Sequence, residues 1–345
     1  MKFLDINFRP GFTTYRNGEG PVWVCPHSGP ALEVPTSRDE NTDTVASRCW
    51  LKTGGSLIVS NISRKMTYGV DFNRDIPPKE LSLNLFEEFV KDEFRKRLQN
   101  YRKEYAWVSK NETDYRHRNS IYDEFWRSVK RSGNVIVFVH RQFTRMKNFP
   151  SAIDIITYRG GGVDKKIVEK IAEKMNKKYE RFFRSVSRYY KDYIILEQKR
   201  IMEKIKRLFS EFNMDKMKIE FRENILADLE VMRKYADKNR IRKLEKEFNE
   251  KNFIAAMKSA LRSREHPKIT VESIFHGQRA LRIKKPMFIK DNIVMEVECT
   301  SFLNYWYPDV ASDILIDLLK NLVSVDLYKK MGAKQTQILK FVSVG

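Results

Sequence analysis

Short apolar runs alternate with turn-forming residues from residue 1 to about residue 164. Three of these runs read PVWVCP, GSLIVSNI and GNVIVFVH, and each is bounded by Gly, Pro, Ser or Asn. Short, continuously apolar runs are typical of strands buried on both faces of a sheet, and a helical pattern covers residues 80 to 104 between them. The pattern predicts an α/β fold with a mixed central sheet flanked by helices.

From about Lys165 to Arg264 the apolar positions follow a helical period. The stretch is nearly free of glycine and proline, and apolar residues recur every three or four positions, as at Ile167, Ile171 and Met175. A weak break at SEFNMDKMK divides it into two halves of about 40 residues, each about 60 Å long if wholly helical at ~1.5 Å per residue. We therefore predict a long α-helical hairpin, inserted into the α/β domain as an arm.

After REHPK the strand pattern returns. The segments ITVESIF, RALRIKK and IVMEVECTSFL are predicted as strands, and ASDILIDLLKNLVSV is predicted as a final amphipathic helix. The resulting organisation is an α/β domain over residues 1–164 and 270–345, interrupted by a basic helical insertion over residues 165–269.

Composition supports a folded protein in a reducing compartment. The chain has 345 residues and is 41% hydrophobic, which is enough for a substantial core. Its three cysteines, Cys25, Cys49 and Cys299, are odd in number and widely spaced, so neither a disulfide framework nor a thiolate zinc site is expected. No signal-peptide pattern and no apolar run of ~20 residues is found, so we expect a cytoplasmic protein with no membrane partner.

The formal net charge of +21 points to a polyanionic partner. Residues 165 to 268 carry 30 lysines and arginines against 17 carboxylates, so the insertion holds most of the excess. Basic and aromatic residues alternate there, as in YERFFRSVSRYYKDY, which favours contact with nucleic acid such as RNA or tRNA. The alternative is a self-packed hairpin with a solvated charged face, or a surface through which two copies form a homodimer.

Two histidines follow apolar strands in the same way. His27 stands in PHSG after PVWVCP, and His140 ends NVIVFVH, with the acidic segment RDENTD between them in the sequence. The carboxyl ends of parallel strands form the crevice in which ligands usually bind, and a catalytic zinc site needs three nitrogen or oxygen ligands. The competing interpretation is two structural histidines and an acidic helix start.

The order of these motifs resembles the N-formylglutamate amidohydrolase family, zinc-dependent hydrolases with a carboxypeptidase-like fold. The resemblance rests on PHSG at 26–29, RDENTD at 38–43, SRKMTYGVDFNRD at 63–75, FVH at 138–140 and MEVECTSFL at 295–303. The resemblance implies that the α/β domain is a hydrolase-like catalytic domain of the carboxypeptidase or phosphorylase-hydrolase kind. It also implies a zinc cofactor and an amidohydrolase or deacylase activity, and it leaves the helical insertion outside.

The same resemblance assigns the metal ligands. His27 and His140 match the family's histidine ligands, and an acid of RDENTD matches the carboxylate ligand. Glu40 is the preferred acid, because ENTDTVA then resembles the family's acid followed by a helix; Asp39 and Asp43 are the alternatives.

Further roles follow from the same motifs. Glu298 matches the family's catalytic glutamate, which takes a proton from water and returns it to the leaving group. Of Glu298 and Glu296, we expect only one to face the cleft. The candidates for substrate binding are Arg74, Asn73, Arg64, Arg141, Arg145 and His276.

Two functions of different classes follow. The first is a zinc-dependent hydrolase that cleaves an amide or ester bond of an anionic, carboxylate-bearing small molecule or acyl substrate. The second is an RNA-binding protein on a hydrolase-like scaffold. A hydrolase of an RNA-linked ester, such as an aminoacyl-tRNA, would combine the two.

Overall fold

The structure is a computed structural model that describes residues 4–31, 38–92, 95–209, 219–289 and 292–324. Within these residues one sheet contains eight strands: β1 (Asp5–Arg9), β2 (Phe12–Asn17), β3 (Val22–Cys25), β4 (Gly55–Ser60), β5 (Val135–Gln142), β6 (Ser151–Ile156), β7 (Lys268–Val271) and β8 (Ile293–Thr300). Their spatial order is β1-β2-β4-β3-β5-β8-β6-β7.

The centre of the sheet is parallel and its edges are mixed. Strands β4, β3, β5 and β8 run in one direction, whereas β2 and β6 pair antiparallel with β4 and β8. The carboxyl ends of the four central strands therefore meet at one edge, which is the usual place for a ligand site in such a sheet. The predicted α/β class and mixed sheet are confirmed.

Helices cover both faces of the sheet. They are α1 (Thr42–Thr53), α2 (Lys79–Asp92), α3 (Lys96–Glu104), α4 (Glu112–Ser132), α5 (Lys165–Lys178), α6 (Glu180–Phe209), α7 (Ile219–Tyr235), α8 (Lys238–Lys246), α9 (Glu250–Arg262), α10 (Gln278–Lys284), α11 (Ser301–Trp306) and α12 (Pro308–Ser324).

Successive side chains of the buried strands point to opposite faces of the sheet, and this divides the core into two layers. Trp23 of β3 and Val137 of β5 face a layer shared with α1, α5 and α12, while Val24 and Phe138 face the layer under α4. Because both faces are covered, these strands are apolar at every position, which is why they appear in the sequence as continuous runs.

Several predicted elements are confirmed and one is wrong. The runs predicted as strands at PVWVCP, GSLIVSNI, GNVIVFVH and IVMEVECTSFL contain β3, β4, β5 and β8. RALRIKK is helical, because α10 spans most of it. Ala280 and Lys284, one helical turn apart, are both buried, so the apparent alternation is one face of a short helix.

The basic segment is more divided than the predicted hairpin. Its described residues form five helices rather than two long halves, and the predicted break at 210–218 lies outside them. Helix α5 packs against β7 and α12, and its Val168 and Ile171 belong to the core layer that covers the sheet. Helix α5 is thus part of the sheet domain, not of a projecting arm.

Two expectations about the chain as a whole can be compared with the structure. Cys25, Cys49 and Cys299 are buried free thiols, as predicted. Among the described residues, no helix is both long enough and apolar enough to cross a bilayer.

Candidate metal centre

Two histidines and an aspartate meet at the carboxyl edge of the central strands. His27 lies two residues beyond β3, His140 lies within β5, and Asp39 precedes α1. The turn after His27 passes so close to the next loop that a Cβ on Gly29 would lie 1.9 Å from the Ile62 carbonyl oxygen, so only glycine fits there. The glycine of PHSG is therefore what allows the turn after His27 to pack against this loop.

Asp39 lies between the two imidazole rings. Its Oδ2 is 2.8 Å from Nδ1 of His140 and 3.2 Å from Nδ1 of His27. One ligand atom from each of the three side chains falls within 4.8 Å of the others, and all three residues are buried. These side chains could hold a metal ion.

Local hydrogen bonds fix the position of Asp39. Its backbone N–H donates to the His27 carbonyl at 2.8 Å, and its own carbonyl accepts from the Thr42 hydroxyl at 2.7 Å. The first of these bonds ties the acid directly to the histidine turn, and the second ties it to the first residue of α1.

The neighbours of His27 favour one tautomer. Arg64 Nη1, which can only donate, lies 3.0 Å from His27 Nδ1, closer than the Asp39 oxygen at 3.2 Å, and so favours the lone pair on Nδ1. The other nitrogen, Nε2, then carries the proton and donates to Asp71 Oδ1 at 2.8 Å. A carboxylate behind a histidine in this way is the usual outer support of a metal ligand.

His140 has a similar support from Asn73. The amide nitrogen Nδ2 is placed 2.9 Å from His140 Nε2, and the amide oxygen is buried with no hydrogen-bond partner among the described residues. Exchanging the amide oxygen and nitrogen, which have the same shape, makes Nε2–H the donor and leaves Nδ1 unprotonated toward Asp39. In either orientation, one polar atom of the Asn73 amide contacts His140 and the other has no hydrogen-bond partner among the described residues.

The donor set fits a small divalent cation. A tetrahedral ion with bonds of about 2.1 Å separates its ligand atoms by about 3.4 Å, close to the separations around Asp39. Burial lowers the pKa of His140, which keeps the ring neutral as a ligand must be. Burial opposes ionisation of Asp39, but the neighbouring positive charge of Arg64 holds the pKa of that carboxyl well below its usual value.

The preference for Glu40 as the acidic ligand is corrected. Glu40 Oε2 accepts a hydrogen bond from the Tyr305 hydroxyl and lies 3.5 Å from Arg141, on the other side of the loop. Asp43, the third choice, is 3.7 Å from Arg38. The loop turns at Asp39, so the residue that faces both histidines is one position earlier than the motif comparison indicates.

Glu296 and Glu298 share one face of β8. The expectation that only one of them faces the cleft is wrong, because side chains two residues apart on a strand project to the same side. Glu296 Oε1 lies 3.9 Å from His140 Nε2, and Glu298 pairs in register with His140 across β5 and β8.

The two glutamates differ in what surrounds them. Glu296 Oε2 accepts from Lys284 at 2.5 Å and from the Tyr158 hydroxyl at 2.9 Å; burial opposes ionisation, but these neighbours lower the pKa of Glu296. Burial, followed by the negative charges of Glu296 and Asp39, raises the pKa of Glu298 well above its usual value. The site thus contains one glutamate held ionised and one that favours its protonated form.

Arg64 and Asn73 are at the site, and Arg74 is beside it. Besides its contact with His27, Arg64 places Nη2 3.6 Å from Asp39 Oδ1, and about a quarter of its side chain is exposed. Arg74 donates to the carbonyls of Asn73 and Arg102, and its Nε is 4.0 Å from Asp71. These contacts give Arg74 a structural role, and its predicted carboxylate clamp stays a prediction.

The remaining candidates lie outside the cluster. Arg141 is buried and donates to the Arg38 carbonyl at 3.0 Å. Arg145 stacks on Phe143 and is surrounded by groups of the helical segment, while His276 is exposed on the loop before α10. The structure brings none of the three to the histidines.

Sequence reasoning missed Asp71, Lys284 and Tyr158. Asp71 was visible in VDFNRD, but its pairing with a histidine 44 positions away has no local signal. Lys284 was assigned to a strand, and its complete burial could not be read from a basic segment.

Comparison of the chain with protein-family models, with curated proteins and with solved structures finds no match. The interpretation of the site therefore rests on its geometry and on the motif order.

Proposed function

We propose that the protein is a metal-dependent hydrolase, with zinc as the expected ion, that cleaves an amide or ester bond in an anionic, carboxylate-bearing substrate. The observation that carries the proposal is the buried cluster of His27, Asp39 and His140, with the outer nitrogens of the two histidines supported by Asp71 and Asn73. The motif order that resembles N-formylglutamate amidohydrolases adds the reaction class.

His27, Asp39 and His140 would hold the ion. When bound, such an ion supplies Lewis-acid chemistry, polarising the scissile carbonyl and lowering the pKa of a water molecule. Asp71 keeps the proton of His27 on Nε2, so that Nδ1 is available to the ion. Glu296 and Asn73 confine the ring of His140 from its Nε2 side.

Glu298 is the proposed proton-transfer residue. A carboxyl whose pKa is raised by burial and by neighbouring negative charge accepts a proton at neutral pH more readily than an ordinary glutamate does. In the proposed reaction its carboxylate takes a proton from the attacking water and returns it to the leaving amine or alcohol. The positive charge of a bound ion would favour the ionised form that begins the cycle.

Arg64 is the proposed contact for the anionic part of the substrate. An ion at His27 Nδ1 would repel the guanidinium that now donates to that atom. Because part of Arg64 reaches solvent, its planar fork can turn to a substrate carboxylate, which it suits as a bidentate donor.

The test is hydrolysis of a panel of N-acyl amino acids and their esters, with N-formylglutamate included and matched neutral amides alongside. Glu298→Gln should lower kcat on the order of 100-fold or more while leaving the metal content unchanged. Arg64→Lys should raise KM for the anionic substrates and not for the neutral ones. Absence of hydrolysis across the panel by the zinc-loaded protein, or full activity of Glu298→Gln, would overturn the proposal.

A further inference from the structure

A groove outside the candidate metal centre concentrates lysines from two helices. It runs between α6 and the start of α9 and has a volume of about 700 Å³. Its polar lining consists of Lys199 and Lys206 from α6 and Asn249, Glu250, Lys251 and Lys258 from α9 and its cap. We call this the α6–α9 groove.

Most of the positive charge in the groove is not neutralised by the residues that the structure describes. Lys206 pairs with Glu250, which is the only acid among the described lining residues. Lys199, Lys251 and Lys258 are exposed, and no described carboxylate forms an ion pair with them. Three uncompensated ammonium groups around one concavity repel one another, and a bound anion would relieve that repulsion.

The spacing of the lysines suits an extended ligand. Lys199 and Lys206 are seven residues apart on one helix, and Lys251 and Lys258 are seven apart on the other, which is about 10 Å along each axis at ~1.5 Å per residue. The lysines of each helix therefore lie along a length that can contact successive phosphates of one strand. The described lining residues include no aromatic side chain, so this part of the groove offers charge without base stacking.

A second recess along the same helices is less suited to this role. It is lined by Arg184, Lys191, Arg264 and His266 among others, and has a volume of about 450 Å³. Its basic groups are already engaged, since Arg184 pairs with Glu180 and Lys191 donates to the Arg264 carbonyl. The α6–α9 groove is therefore the stronger candidate.

We propose that the α6–α9 groove binds the phosphate backbone of single-stranded nucleic acid without reading its sequence. A concave channel favours a strand over a flat membrane surface, and backbone contact by lysine point charges carries no base information. The site is independent of the proposed hydrolase activity, because its residues lie on α6 and α9 and none belongs to the metal cluster.

The test compares two triple variants that lose the same charge. The groove variant is Lys199→Gln/Lys251→Gln/Lys258→Gln. The control is Lys103→Gln/Lys110→Gln/Lys130→Gln, three exposed lysines elsewhere on the protein. Binding of a labelled 20-nucleotide RNA is measured by fluorescence anisotropy from 50 to 300 mM salt, and far-UV circular dichroism with metal analysis checks that both variants remain folded.

The groove variant should bind RNA more weakly, on the order of 100-fold at 0.1 M salt, and its log–log salt slope should be smaller by about 2. The control should stay near the native protein. Glu250→Gln should act in the opposite direction and tighten binding, because it removes the acid that neutralises Lys206. Equal weakening by both triple variants, unchanged binding by the groove variant, or loss of binding to phosphatidylserine vesicles but not to RNA would overturn the proposal.

Discussion

Glu197 should make the stability of the protein depend on pH. This glutamate of α6 is 8% exposed, and one of its carboxyl oxygens has no hydrogen-bond partner among the described residues. Burial raises the pKa of Glu197 from 4.5 to about 7, although Ser301 and Arg141 act in the other direction. The native state therefore keeps a proton that the unfolded chain releases near pH 4.5.

The size and sign of the pH dependence that Glu197 gives to the stability follow from proton linkage. Because the folded pKa is the higher one, the stabilisation is fully present below about pH 4.5 and is lost as pH rises through about 7. At about 1.4 kcal/mol per pKa unit, the loss between pH 5 and pH 8 is about 2 to 3 kcal/mol. Glutamine has no such proton, so Glu197→Gln should remove this part of the pH dependence.

The assay is urea unfolding of the native protein and of Glu197→Gln at pH 5 and pH 8. The variant should gain stability relative to the native protein by about 2 to 3 kcal/mol on going from pH 5 to pH 8. Glu203→Gln, an exposed change on the same helix, is the matched control and should show no such gain. Parallel pH dependence of the native protein and Glu197→Gln would refute the reasoning.

Two further predictions concern residues around the candidate metal centre. Lys284→Met should lower the free energy of unfolding, measured in urea, by about 3 to 5 kcal/mol, because it leaves the Glu296 carboxylate buried without its cation. Adding Glu296→Gln should recover most of this loss. No recovery in the double variant would show that the ion pair is not the cause. Asp71→Asn should weaken zinc binding about 10- to 100-fold in competition with a chromogenic chelator, because the outer support of His27 is lost; an unchanged zinc affinity would contradict that role.

The parts of the fold and site that the sequence predicts are those with a short-range signal. Strands buried on both faces stand out as apolar runs, and His27 and His140 were found because each follows such a run. Parallel neighbours bring their carboxyl ends together, so two strand-end histidines meet even though 113 residues separate them in the sequence.

The parts that the sequence does not predict depend on single positions and on distant packing. Asp39 and Glu40 have the same chemistry, and which of them faces the cluster depends on the hydrogen bonds that tie Asp39 to His27 and Thr42. Lys284 is basic and looks solvated in RALRIKK, yet α10 buries it against Phe138 and Glu296. Helix α5 shares its period with α6, and only its contacts with β7 and α12 assign it to the sheet domain.

The most direct test of the central claim is the metal content of the purified protein and of two neighbouring variants. Native protein, Asp39→Asn and Glu40→Gln would be loaded with zinc, dialysed against metal-free buffer and measured by inductively coupled plasma mass spectrometry, with iron and manganese counted in parallel. The structure predicts about one divalent ion per chain in the native protein and in Glu40→Gln, and nearly none in Asp39→Asn. Native protein that retains no ion, or an Asp39→Asn variant that retains as much as Glu40→Gln, would contradict it.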